Sequence, residues 1–238
     1  MPPLLPIGFT DRVDNQQSGT RITSMDSEVG RSGRVRVAVL AGAAILALAG
    51  ALYVLRRPLM MVVPACTGGQ WTICLTTVNG DLLLTVAALP VALLLVAALA
   101  HRRRLAGTPA AWRLSLAEVG LVYWTVPWVW LTLQPGPGAG VVPGRVSLVP
   151  LRDLLTMDTG QIVGNLLILA GLGFFAPIRF RALASAPRML ALGAACSALI
   201  ETAQYAFQLD RVSSIDDVLL NATGAALAAL ASRRWWRA

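Results

Sequence analysis

From residue 37 onward the chain is built of long apolar runs separated by short stretches of arginine, proline and glycine. Six runs stand out, at residues 37–55, 82–100, 116–133, 162–178, 189–207 and 215–231. A helix of roughly 17–20 residues, rising about 1.5 Å per residue, matches a hydrocarbon core about 30 Å thick. The first two runs are nearly pure Ala, Leu and Val. The fourth and sixth are short and carry polar residues, so they need packed neighbours. The pattern predicts an all-α fold, a polytopic transmembrane helical bundle of about six helices.

Composition agrees. With 56% hydrophobic and 13% charged residues in 238, the chain is too apolar for an ordinary soluble domain. The net charge of +8 does not make it a nucleic-acid binder, because the basic residues punctuate apolar runs and do not gather on one folded face. All 20 basic residues are Arg. With the Ala-rich runs, this points to a high-GC bacterial source. A cytoplasmic N-terminus puts 15 of these Arg on the inner side and 5 on the outer. That asymmetry predicts cytoplasmic N- and C-termini, in a multi-pass protein of the bacterial cytoplasmic membrane. Trp112, Trp235 and Trp236 then fall at the inner boundary, where amphipathic rings prefer to sit. Arg56 and Arg57, at the outer end of the first run, would snorkel to the headgroups.

Residues 1–34 are polar and irregular and read as a disordered cytoplasmic tail, with Met25 an alternative start to Met1. They lack the layout of a cleavable signal peptide. Cys66 and Cys74 lie in the first outer loop, where disulfides persist, and a bridge between them would close a small loop around Trp71. Cys196 reads as a small packing residue. Three Cys and one His offer no metal-site spacing, so neither a metal nor a cofactor is expected.

Polar residues inside the apolar runs carry the functional signal, because a carboxylate there is costly. Ser197, Glu201, Gln204 and Gln208 sit at offsets that place them within about a 60° arc of one helix. Asp217, Asn221, Gly224 and Ala228 form a matching stripe on the sixth run. Ser214 and Asp217 have capping-box spacing, and Asp216 and Asp217 both suit a helix N-terminus, which gives these acids a structural reading as well. Asn165 enters from the fourth run, whose Gly171 and Gly173, like Gly224, read as close-packing contacts. Arg211 sits in the turn between the last two runs. These groups can converge in the outer third of the bilayer, with Glu201 about 10 Å below its helix end. They would form either a polar pocket or a neutralised plug that holds three helices in register.

The run Glu201-x-x-Gln204, then Arg211, then Asp216-Asp217-x-x-x-Asn221-x-x-Gly224, resembles the VanZ-like family, named for a teicoplanin-resistance protein. Asn165 and Gly173 support the resemblance, as do Ser147-Leu148-Val149-Pro150-Leu151-Arg152 and the Leu131-Thr132-Leu133-Gln134-Pro135 segment. It covers about residues 116–232, four helices. Residues 35–115 then form a two-helix extension, and 233–238 a basic C-terminal tail. A Phe and a Pro common in the family are here Leu169 and Gly171, which puts a helix kink in doubt, and an often acidic position is Ser214. The resemblance implies a membrane protein of the cell envelope, linked in some members to glycopeptide resistance. It brings no established reaction.

The preferred reading is a membrane protein whose outward pocket of Asn165, Glu201, Gln204, Arg211, Asp216, Asp217 and Asn221 engages a membrane lipid, a lipid-linked cell-wall precursor or a glycopeptide. Glu201 and Asp217 would be the acceptors and Arg211 the anion-binding group at the rim. An enzyme would use Glu201 as general base on a lipid-linked substrate, but no nucleophile has an obvious partner, and His101 lies among arginines on the other side. A small transporter would use Glu201 as a proton or cation site, but no internal repeat is visible.

Overall fold

The computed structural model describes residues 58–236 continuously, with scattered positions between 39 and 56 that are helical. The chain divides into two compact units, Met1–Arg56 and Arg57–Ala238. The tail expected at 1–34, and much of the first apolar run, lie outside the described residues, as do 237 and 238.

The second unit opens with a π-helical turn, Pro58–Val62, and two five-residue helices, α1 (Val63–Thr67) and α2 (Trp71–Leu75). A disulfide joins Cys66 to Cys74, with Cα atoms 5.7 Å apart. Thr77 then caps α3 (Val78–Leu105), its hydroxyl accepting the Gly80 N–H at 3.1 Å. α3 extends past both ends of the apolar run. The cap starts it early, and three arginines in its last turn suit the negative end of the helix dipole. A short turn leads to α4 (Ala111–Thr132), which lies antiparallel to α3. Tyr123 donates from α4 to the Thr85 carbonyl at 2.7 Å, fixing that register.

Next comes the fourth apolar run, which forms two helices, α5 (Thr159–Ile168) and α6 (Ala170–Arg179), separated at Leu169. The break forms without the family's proline. The Trp124 indole donates to the Leu167 carbonyl at 3.1 Å, and its ring lies where a Cβ on Gly171 would be. A side chain set into the ladder in this way interrupts a helix as effectively as proline does. α7 (Ala186–Ala206), α8 (Ile215–Ala231) and a single turn, α9 (Arg233–Trp236), complete the unit. The turn α9 occupies most of the expected C-terminal tail, anchored by the Trp236 indole on the Ala229 carbonyl at 3.0 Å.

At the centre is α8, which packs against α5, α6 and α7, while α4 runs along α6. Small residues set these distances. A Cβ on Gly173 would come within 2.1 Å of the Ala225 carbonyl oxygen, and one on Gly224 within 2.0 Å of the Leu166 carbonyl oxygen. Ile168, Leu169, Ile200 and Ala225 form the apolar core beside this contact. Ala176, Met189 and Ala229 form a second cluster.

Three stretches among the described residues are long and apolar enough to cross a membrane: Val78–Leu105, Ala111–Thr132 and Thr159–Arg179. α8 has 17 residues, and α7 carries Arg188 and Glu201. The fold is therefore mostly helical with three candidate spans, fewer than the six apolar runs. It also contains a parallel strand pair that an all-α reading omits. β1 (Arg145–Ser147) pairs with β2 (Val212–Ser214), Val146 opposite Ser213. At the opposite end, Glu118 of α4 pairs with Arg103 of α3 and Arg179 of α6, and Arg103 also donates to Ser115 at 2.7 Å.

Backbone contact at Gly224 makes a direct expectation. Gly224→Ala places a methyl against the α5 backbone and should destabilise the purified protein by about 1–3 kcal/mol, read as a lowered Tm in detergent. Gly164→Ala in α5 meets nothing within 4 Å and should raise Tm slightly, in line with the roughly 0.5–1 kcal/mol that alanine gains over glycine in a helix. Equal melts for the two variants would contradict the close-packing assignment.

Candidate functional site

The sequence of α7 places Ser197, Glu201 and Gln204 on one face, and all three are buried. Gln208 does not join them. α7 ends at Ala206, and Gln208 turns into the left-handed region at φ 49°, exposed, with its carbonyl accepting the Gly140 N–H at 3.0 Å. The helical offset fails there because the helix has already stopped. From α8, Asp217 and Asn221 face α7 and α5. Asn165 of α5 donates to Asp217, and Asn221 Nδ2 donates to the buried Ser197 hydroxyl at 2.7 Å.

Asn165, Glu201, Gln204, Arg211, Asp217 and Asn221 all line one cavity of about 380 Å³. Thr132, Arg145, Gln161, Ile168, Ile200, Asp210 and Val212 complete its wall. Gln204 donates to the Thr132 carbonyl at 2.9 Å, tying α7 to the end of α4. The Arg211 Nε approaches the Gln134 carbonyl at 3.4 Å, which holds the guanidinium at the cavity. Gln134 in turn donates to the Leu75 carbonyl at 3.0 Å, and Trp130 donates to the same oxygen at 3.1 Å. The disulfide-closed segment thus reaches the arginine through one glutamine. Asn221 is 1% exposed, and its Oδ1 has no hydrogen-bond partner among the described residues. An unpaired buried carbonyl is costly, and here it borders a cavity with room for a donor.

The start of α8 explains how its two acids divide. Ser214 is the N-cap, its hydroxyl accepting the Asp216 N–H at 3.2 Å. In a capping box the carboxylate three residues on, here Asp217, would reach back to the N-cap N–H. Glu201 takes that N–H instead, at 3.1 Å, and Asp217 is left facing Asn165 and the cavity. The capping-box expectation is corrected accordingly.

Asp216 is the one expected pocket residue outside the cavity wall. It is 1% exposed, and its carboxylate accepts the backbone N–H groups of Leu151, Asp153 and Leu154, the last two at 2.9 and 3.1 Å. It therefore clamps the loop after β1, where Leu151 takes φ 65°. Nearby, the Ser214 hydroxyl donates to Asp153 at 2.6 Å. That bond, with the Ser147 hydroxyl and Arg152, holds the Asp153 carboxyl below the usual carboxylate range. Its contribution is present at neutral pH and is lost only as pH falls through the lowered value.

Sequence reasoning missed Arg145, Asp210, Gln161 and Thr132. Arg145 and Asp210 form an ion pair at 3.5 Å across the strand pair, and Asp210 also accepts the Gly138 N–H at 3.0 Å. Two three-residue strands carry too little alternation to announce this pairing. A polar residue at Gln161, four positions before Asn165, was the one available signal.

Fold and site together define a helical membrane protein with a polar cavity at one end of its bundle. Residues 121–236 match the family model described as VanZ/LLP1, a match that supports a VanZ-like family for this segment. No curated protein and no solved structure matches the chain.

The loop clamp can be tested directly. Asp216→Ala removes the buried acceptor of three backbone N–H groups and should cost about 1–3 kcal/mol. Limited proteolysis should then cut within residues 148–156 where the wild type resists. An unchanged digestion pattern would remove the clamp assignment.

Proposed function

We propose that the cavity is an outward-facing site for the headgroup of a membrane lipid or lipid-linked cell-wall precursor, through which the protein contributes to glycopeptide resistance of the teicoplanin type. The observation that carries the reading is the cavity itself. Eight polar side chains from α5, α7, α8 and the turn before β2 line it, and the buried Oδ1 of one of them, Asn221, has no partner among the described residues. Glu201, Asp217 and Asn221 supply acceptors for hydroxyl or amine donors of the ligand, Asn165 and Gln204 frame them, and Arg211 takes a phosphate or carboxylate. The VanZ-like family segment supports a role in antibiotic resistance. In this reading the chain crosses the bacterial cytoplasmic membrane six times, with both termini cytoplasmic and the arginine-rich end of α3 inside.

The orientation has its own test. In intact cells of a Cys196→Ser strain, a membrane-impermeant maleimide should label Cys66 and Cys74 only after reduction. Labelling without reductant would overturn the bridge, and no labelling after reduction would overturn the outward placement.

The site is tested through Glu201→Gln. The amide oxygen still accepts the Ser214 N–H, so membrane abundance should be retained, whereas glycopeptide susceptibility should match a null strain. The lipid or precursor that copurifies with the wild type, identified by mass spectrometry, should be lost. Normal abundance with an unchanged phenotype and unchanged copurified lipid would remove the site.

A further inference from the structure

At the other end of α4 lies a second cavity, of about 560 Å³, lined by Leu93 and Val96 of α3, Trp112, Arg113 and Leu116 of α4, and Arg234 and Trp235 of α9. Its chemistry is unlike that of the polar site. Three aliphatic side chains form one part, two indoles another, and the only charged groups in its wall are cations. Arg113 Nε is buried without a hydrogen-bond partner among the described residues. Neither Arg113 nor Arg234 belongs to an ion pair among those residues, although Arg103 and Arg179 at the same end are both taken up by Glu118. Among the described residues, no acid pairs with the cations of this cavity.

We infer that this cavity holds an anionic phospholipid of the bilayer, its phosphate against Arg113 and Arg234 and an acyl chain along Leu93, Val96 and Leu116. The charge is complementary, and the buried Nε needs an acceptor that the described residues do not supply. Basic pockets between helices near the membrane surface suit such headgroups, since apolar wall and cationic rim meet where the lipid's own apolar and anionic parts meet. Trp112 and Trp235 stand at that level, as indoles do at a membrane interface. Arg104 lies over the Trp112 ring at 5.3 Å and adds positive potential. The occupant bridges α3, α4 and α9, so the lipid would join the two-helix extension to the end of the VanZ-like segment.

The test uses the full chain in nanodiscs of phosphatidylcholine with phosphatidylglycerol, followed by native mass spectrometry of the released protein. Wild type should keep phosphatidylglycerol in preference to phosphatidylcholine. Arg113→Gln with Arg234→Gln should reduce that preference about tenfold. Arg102→Gln with Arg181→Gln removes the same charge from exposed positions outside the cavity and should leave it intact. Leu93→Trp, which fills the apolar part and keeps both arginines, should lower retention without any change of charge. A wild type with no preference overturns the site, whatever the variants do. So does an equal loss in the two arginine pairs, which would indicate surface electrostatics alone.

Discussion

Everything at the polar end depends on how closely α8 can approach α5 and α6. Gly224 against the Leu166 carbonyl and Gly173 against the Ala225 carbonyl leave no room for a Cβ. In hydrocarbon, helices gain little from burying apolar surface against one another, so association rests on such packing and on interhelical hydrogen bonds. Here the two come as one. With the backbones in contact, Asn165 reaches Asp217 and Asn221 reaches Ser197, and a wider spacing would strand four polar groups.

The same economy governs the start of α8. Ser214 faces three demands, from its own N–H, from the free N–H groups of the new helix and from the loop after β1. Its hydroxyl serves the Asp216 N–H and Asp153, while Glu201 takes the Ser214 N–H. Asp216 closes the loop, and of the two acids on α8 Asp217 is the one that lines the cavity. A serine at a position often acidic in the family is therefore used fully. Glu201 is also two things at once, a structural acceptor for β2 and a wall of the cavity, which is why an isosteric amide separates its roles and a truncation would not.

Much of this was legible in the residues. From the second run onward, apolar run length matched the helical stretches to within a few positions, although the fourth run is two helices, and the 3.6-residue period gathered Ser197, Glu201 and Gln204 correctly because they lie well inside α7. It failed at Gln208, where periodicity outran the helix. Asp216 could not be told from Asp217 by pattern, since their difference lies in a loop some 65 residues upstream. The strand pair and the Arg145–Asp210 ion pair were invisible for the same reason. Glu118 was overlooked although it is an acid at the edge of an apolar run. Its partners lie on α3 and α6, and only the fold brings them to it.

The two ends of the bundle answer one physical problem in opposite ways. At the strand end, acids outnumber what Arg211 can neutralise within the cavity wall, and amide groups from Asn165 and Gln204 share the work. At the arginine-rich end, Glu118 is shared between Arg103 and Arg179, so that the triad keeps a positive charge, and other cations have no acid partner among the described residues. In the two readings proposed above, a bilayer would supply what each end lacks. Headgroup donors suit the first cavity, and lipid phosphate suits the second. The segment closed by Cys66 and Cys74 connects to the first through Leu75, Gln134 and Arg211. That chain of contacts gives the disulfide a physical purpose, because a fixed Leu75 carbonyl fixes Gln134, and Gln134 sets where the cavity's cation can stand.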